Sequence, residues 1–173
     1  MIQIGDAFPN VTLYEFNHVP TDACPIGPLA INTREAFFDK KIVLTGAPGA
    51  FTPACSDLQI PGYIDSFDRF KQMGVDDIYC VAVNDAFVMG AWAKAINSEL
   101  KVRMIADGSG LLTKALGLEL DLSLKGFGVR CQRFSMLIDK GVVKLLNVDV
   151  GVSFERSTAD VLLAQMSIKN NKS

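Results

Sequence analysis

Between Lys41 and Val148 the chain alternates two hydrophobic patterns. Short apolar runs bounded by Gly, Pro or Asp read as buried strands, and apolar residues recurring every three to four positions read as helices. Lys41–Ala47 (KIVLTGA), Asp77–Asn84 (DIYCVAVN) and Val102–Ala106 are of the first kind. The segment Pro53–Met73 is of the second, with Ile60, Ile64, Phe67 and Phe70 forming its apolar stripe. Pro61-Gly62 predicts a kink near its first turns, and Gly74 a C-terminal cap. An amphipathic helix is expected over Ala86–Asn97, and a shorter one over Leu111–Leu118 after the turn Asp107-Gly-Ser-Gly110. Phe134–Asp139 and Val142–Val148 flank Lys140-Gly141, a hairpin signal. The last helix, Thr158–Ile168, opens on Ser157-Thr-Ala-Asp160, the pattern of an N-terminal cap.

The order β-α-β-α-β-α, then a hairpin, then α, predicts a single α/β domain spanning 1–173. Its central sheet is mixed, with parallel inner strands, helices on both faces and an antiparallel hairpin. No internal repeat, low-complexity stretch or linker divides it.

Composition narrows the function. The 173 residues are 49% hydrophobic and 21% charged, with a formal net charge of −2, which is the profile of a globular protein that can bury a core. Nothing resembles the basic footprint of a nucleic-acid binder, and no apolar run reaches the roughly 18 residues of a membrane helix. The start, MIQIGDAFPNVTLYEF, lacks a basic n-region, so a cytoplasmic protein is expected, or an organelle-matrix one whose presequence has been removed.

The four cysteines, Cys24, Cys55, Cys80 and Cys131, form no C-x-x-C, and His18 is the one histidine. That argues against a zinc site or a disulfide framework, so no metal or cofactor is expected and any cysteine chemistry is that of an individual thiol. Cys80 reads as core. Cys131 lies two residues before Arg133 and shares its strand face if the strand extends back that far, so a resolving role is open alongside packing. Cys24, in the turn-rich VPTDACPIGP, is a loop cysteine with a secondary redox role open. His18 reads as a surface loop residue. The Asp107–Gly110 turn lacks the Gly-Lys-Ser/Thr ending of a phosphate loop.

Cys55 stands apart. It follows a buried strand and enters the first turn of a helix, where free N–H groups and the helix dipole favour an anion and lower a thiol pKa. Pro48 and Pro53 stiffen the approach, and Thr52 supplies a hydroxyl. Thioredoxin-like folds use this strand-loop-helix junction with a cysteine at each end of C-x-x-C. Here Thr52 takes the first position, giving T-P-A-C, which shifts the expectation from dithiol exchange to oxidation of one thiol by a bound substrate.

Pro48-Gly-Ala-Phe-Thr-Pro-Ala-Cys55 resembles the active-site signature of the peroxiredoxins, P-x-x-x-T-x-x-C. The longer text, PGAFTPACS followed by PGY, resembles their peroxiredoxin-5 (type II) branch. Further likeness lies in VAVNDAFVMGAW (81–92), ADGSG (106–110) and RFSMLIDKGVVKLLNVD (133–149). The resemblance implies a thioredoxin-like fold and a thiol-dependent peroxidase acting on hydrogen peroxide or small alkyl hydroperoxides. Cys55 would be the peroxidatic cysteine, Thr52 would hold the peroxide and Pro48 would shield the thiolate. Arg133 would stabilise the thiolate and the leaving oxygen, with Arg130 as an outer partner; the alternative for Arg133 is a structural ion pair.

A homodimer formed near the active-site face is also implied. Two departures stand out. Gln59 occupies the place of the branch's usual histidine, and Gly151–Ser157 lacks the resolving cysteine that some members carry there. Recycling is therefore expected from an external thiol, glutathione with glutaredoxin ahead of thioredoxin. The alternative is a peroxide-sensing relay that passes oxidation to a partner protein. Thr52 argues against a general thiol–disulfide oxidoreductase.

Overall fold

The computed structural model describes residues 1–17, 26–98, 101–151 and 153–170. In chain order its elements begin with β1 (Thr12–Asn17), β2 (Gly27–Asn32), α1 (Thr33–Phe37) and β3 (Lys41–Gly46). A π-helical turn (Ala54–Gln59), α2 (Ile60–Asp65), α3 (Phe67–Gln72), β4 (Asp77–Ala82), α4 (Ala86–Ala95) and β5 (Arg103–Ala106) follow. The remainder comprises α5 (Leu111–Leu116), β6 (Glu119–Asp121), a 3₁₀ turn (Ser123–Lys125), β7 (Val129–Cys131), β8 (Phe134–Asp139), β9 (Val142–Val148) and α6 (Ala159–Asn170).

Seven strands form one mixed sheet in the order β2-β1-β5-β4-β3-β8-β9, with β3, β4 and β5 parallel and the outer pairs antiparallel. The parallel strands are covered on both faces, and that is why they read as unbroken apolar runs. In β4, Ile78, Cys80 and Ala82 face a core layer shared with Ile60, Phe70, Met89, Trp92 and Leu162. Tyr79 and Val81 face the other layer, with Phe37 of α1 and Leu112 and Leu116 of α5. This is the thioredoxin-like arrangement expected from the sequence.

Where elements depart from expectation, the reason is local. β1 buries only Leu13 and β2 buries nothing fully, so neither carries the two-sided apolar signal of an inner strand. β6 and β7 are three-residue strands paired only with each other, too short to show a period. The long helix is divided in three. Pro61 sits in the first turn of α2, where its missing N–H costs nothing. The irregularity comes before it, in the π-helical turn closed by Ile60 N–H on Cys55 O. A second break falls at Ser66, whose ψ of 1° leaves the helical range.

At the last helix the cap is Thr158, whose Oγ1 accepts Val161 N–H at 3.3 Å. Ser157 is engaged elsewhere, by the Asp149 carboxylate.

One glycine is required by the packing next to the site. Gly46 ends β3 opposite Phe134, and a Cβ there would fall 2.1 Å from the Phe134 ring.

Candidate active site

The C-terminal end of β3 feeds a loop that turns at Phe51 (φ 61°) into the π-helical turn and leaves Cys55 with no solvent exposure. Thr52 ties loop to turn: its hydroxyl donates to Gly49 O at 2.9 Å and its carbonyl accepts Ser56 N–H at 2.9 Å. The hydroxyl oxygen keeps lone pairs free to accept from a ligand. Cys55 is second in the turn, where a backbone N–H has no intrahelical acceptor. One residue on, Ser56 Oγ accepts from the buried Trp92 Nε1 at 2.9 Å.

Arg133 reaches this sulfur from the connection between β7 and β8. Its Nη1 lies 3.4 Å from Cys55 Sγ and also donates to Gln59 Oε1 at 2.5 Å. The side chain is buried, and no carboxylate pairs with it among the described residues. The ion-pair alternative therefore does not hold, and its charge faces the sulfur without a counter-ion. The Phe154 ring lies 5.2 Å from the guanidinium carbon, a cation–π contact that covers the cation without neutralising it. Arg133 Nε is buried and has no acceptor.

Gln59 proves to be a working part of this arrangement. It is fully buried, and its Nε2 donates to Thr45 Oγ1 at 2.8 Å and to Gly46 O at 2.9 Å. Thr45 Oγ1 in turn donates to Phe134 O at 3.0 Å. Two acceptors on the nitrogen side fix the amide so that Oε1 must face Arg133. A neutral chain from β8 through β3 and the helical turn thus holds the guanidinium at the sulfur. The sequence hint was Thr45 itself, a hydroxyl in the otherwise apolar run Ile42–Ala47.

Asp149 holds the backbone of Arg133. Its backbone N–H bonds Arg133 O at 2.9 Å, and its carboxylate accepts from Glu155 N, Arg156 N, Ser157 N and Ser157 Oγ. These hydrogen bonds hold the carboxyl below its ordinary range despite burial, which acts in the opposite direction. They also shape the loop that carries Phe154. Nothing in the local sequence pattern showed that Asp149 would be buried.

Arg130 has the outer position expected of it and does not reach the sulfur. Its Nη1 donates to Val83 O at 3.2 Å and Asn84 Oδ1 at 3.3 Å, and Asn84 Oδ1 also accepts Ala50 N–H at 3.0 Å. Arg130 and Asn84 therefore brace the loop ahead of Cys55. Pro48, Thr52 and Arg133 line a depression of about 460 Å³ together with Pro53, Ala54 and the β6–β7 segment.

Cys131 does not share a strand with Arg133. β7 ends at Cys131, β8 begins at Phe134, and the two belong to different sheets. Its Sγ lies 3.0 Å from Ala47 O as a donor, and burial pushes its thiol up to about 12. Cys80, buried in β4, is pushed well up for the same reason. Neither is bonded to Cys55. Cys24 and His18 lie outside the described residues. Among the described residues no cluster of three or more metal-ligating side chains occurs, and no helix is long and apolar enough to cross a membrane.

The pattern of the redoxin family matches residues 3–163. Peroxiredoxin-2B of Arabidopsis thaliana is 43% identical over 163 residues, covering 94% of this chain and 96% of that protein. Among solved structures, reduced Prx3 of Vibrio vulnificus in complex with hydrogen peroxide superposes with a TM-score of 0.87 at 47% identity, covering 96% and 99% of the two chains. Peroxiredoxin 5 of Alvinella pompejana gives 0.80 at 34% identity, covering 97% and 99%. The chain belongs to the redoxin family and is a peroxiredoxin, a thiol-dependent peroxidase related to the type II and peroxiredoxin-5 proteins.

Proposed function

We propose that Cys55 is the peroxidatic cysteine, and the observation that carries this is Arg133 Nη1, 3.4 Å from its sulfur, with no carboxylate paired to it among the described residues. The Cys55 thiolate attacks the terminal oxygen of hydrogen peroxide or a small alkyl hydroperoxide. An S–O bond forms, the O–O bond breaks, and the leaving oxide takes a proton to depart as water or alcohol. Cys55 is left as a sulfenic acid.

Thr52 accepts a hydrogen bond from the incoming peroxide while its own proton stays on Gly49 O. Arg133 stabilises the charge that develops on the leaving oxygen, its Nε supplying a donor with no other partner. Pro48, on the wall of the depression, shields the sulfur from bulk water.

An external thiol closes the cycle. It condenses with the sulfenic acid, releasing water and forming a mixed disulfide, and a second thiol then frees the Cys55 thiolate. Glutathione with glutaredoxin is favoured over thioredoxin, because Gly151–Ser157 carries no resolving cysteine and both Cys80 and Cys131 are buried thiols of raised pKa. We place this chemistry in one domain spanning 1–173, in a reducing compartment such as the cytoplasm or an organelle matrix. The assembly is a homodimer formed near the active-site face, where the exposed Phe51 adjoins Thr52.

The test is one equivalent of hydrogen peroxide added to reduced protein without thiol, followed by mass spectrometry. A single added oxygen on Cys55, trapped by a sulfenate reagent, is the expected product. A loss of two hydrogens with Cys55 linked to Cys24 or Cys131 would replace the external-thiol cycle by an internal one. An unmodified Cys55 would sink the reading.

A further inference from the structure

The depression lined by Thr52 and Arg133 is much larger than hydrogen peroxide needs. Its volume of about 460 Å³ lies in the range that encloses organic ligands, against roughly 30 Å³ for a water molecule in the liquid. Thr52, Pro48 and Arg133 form the part nearest the chemistry. Much of the remaining wall comes from one element, the β6–β7 finger, through Leu120, Leu122, Lys125 and Phe127.

The finger is preorganised. Leu122 N–H bonds Gly128 O at 2.9 Å, Lys125 N–H bonds Leu122 O at 2.9 Å, and Phe127 N–H returns to Leu122 O at 3.2 Å. Gly126, at φ 77°, supplies the left-handed residue that ends the 3₁₀ turn. Arg130 donates to Phe127 O at 2.8 Å and its guanidinium carbon lies 5.7 Å from the Phe127 ring centre, so the aromatic ring is held in place although 45% exposed. A rigid tip that keeps apolar surface open to water beside a reactive centre is suited to an organic ligand.

Lys125 is the charged member of that wall. No acid or hydrogen-bond acceptor engages its ammonium among the described residues. Asp121, on the same finger, accepts Ser123 N–H at 2.8 Å. An uncommitted cation therefore stands on an apolar wall, in the same depression as Arg133.

We propose that the β6–β7 finger selects the substrate, and that Lys125 recognises organic hydroperoxides carrying a carboxylate on an apolar stem. The stem lies along Leu120, Leu122 and Phe127, the peroxide end meets Thr52 and Arg133, and the carboxylate meets Lys125. This inference rests on the peroxidase reading. Glutathione also bears carboxylates, but the apolar wall favours the hydroperoxide over so polar a peptide.

The experiment is a single-turnover oxidation of the reduced full chain, without thiol, followed through the fluorescence of Trp92. The probes are a hydroperoxy derivative of a medium-chain fatty acid and its methyl ester. The native protein should react about fivefold to tenfold faster with the acid, as for a hydrogen bond to a charged partner that is incompletely desolvated. That preference should shrink with added salt, vanish in Lys125→Met and survive in Lys125→Arg.

Equal acid-to-ester ratios in native protein and Lys125→Met would overturn the proposal. So would a Lys125→Met defect confined to reduction of the sulfenic acid by glutathione. Native protein that fails to oxidise even with hydrogen peroxide would mean that the peroxidase reading itself had failed. Normal peroxide oxidation without an acid preference would remove only the role of Lys125.

Discussion

Cys55 and Cys131 are buried to the same degree, yet their sulfurs sit in opposite electrostatic settings. Arg133 points a guanidinium N–H at Cys55, which stabilises negative charge on that sulfur. Cys131 points its own S–H at the Ala47 carbonyl, a partner that stabilises the thiol. Burial pushes Cys131 up to about 12, leaving negligible thiolate near pH 7. Burial alone therefore makes a cysteine inert. Direction of hydrogen bonding, set by which side chain the fold brings to the sulfur, is what separates Cys55 from Cys131.

Replacing Cys55 by Ser is the most severe test of that contrast. Peroxide consumption with a supplied thiol should be abolished while circular dichroism stays native; surviving turnover would move the chemistry to another cysteine. Arg133→Met comes next, removing the donor and leaving the thiolate buried beside apolar groups. The second-order rate with peroxide should fall about 10²- to 10³-fold, in line with loss of a preorganised charge-stabilising donor. A loss below fivefold in stopped-flow would show that hydrogen-bond direction at the sulfur is not what distinguishes the two cysteines.

Gln59→Leu sharpens the comparison, because Gln59 holds the donor without touching the reaction. It leaves Arg133 Nη1, Thr45 Oγ1 and Gly46 O each short of a partner. A stability loss of about 1–3 kcal/mol in urea unfolding is expected for such buried groups, with a rate loss smaller than that of Arg133→Met.

Asp149 works one step further out, and its effect is on stability. Because its carboxyl is held below the ordinary carboxylate range, it stabilises the fold above the unfolded-state value, about 4, and that contribution is lost as pH falls through the lowered pKa. Asp149→Asn should flatten the acid limb of a stability-versus-pH curve. An unchanged limb would mean that the loop carrying Phe154 is held by other contacts.

The smallest effect belongs to the passive side. Cys131→Ser should change the peroxide rate by less than about twofold, since that sulfur is present as a thiol throughout. A larger drop would mean that Cys131 takes part in the cycle.

Local sequence pattern encodes the scaffold and sets Cys55 apart from the other three cysteines. Strands β3, β4 and β5 were legible because burial on both faces demands continuous apolar runs, and the junction Pro48–Cys55 because its turn chemistry is local. Strands β1 and β2, on the β5 side of the sheet, were not legible, since a strand that buries one side chain or none leaves no pattern. Nor was the short β6–β7 finger that walls the depression.

Tertiary structure alone decided how the sulfur is treated. Arg133 and Gln59 stand 74 positions apart, and Asp149 meets the Arg133 backbone carbonyl just beyond the β8–β9 pair. Their contacts exist only because β8 pairs beside β3 and carries Arg133 to the helical turn. Local patterns encode which segments fold and where a thiol is presented. The hydrogen-bond partners of a buried group depend on which distant strands lie side by side, and no single stretch of sequence contains that.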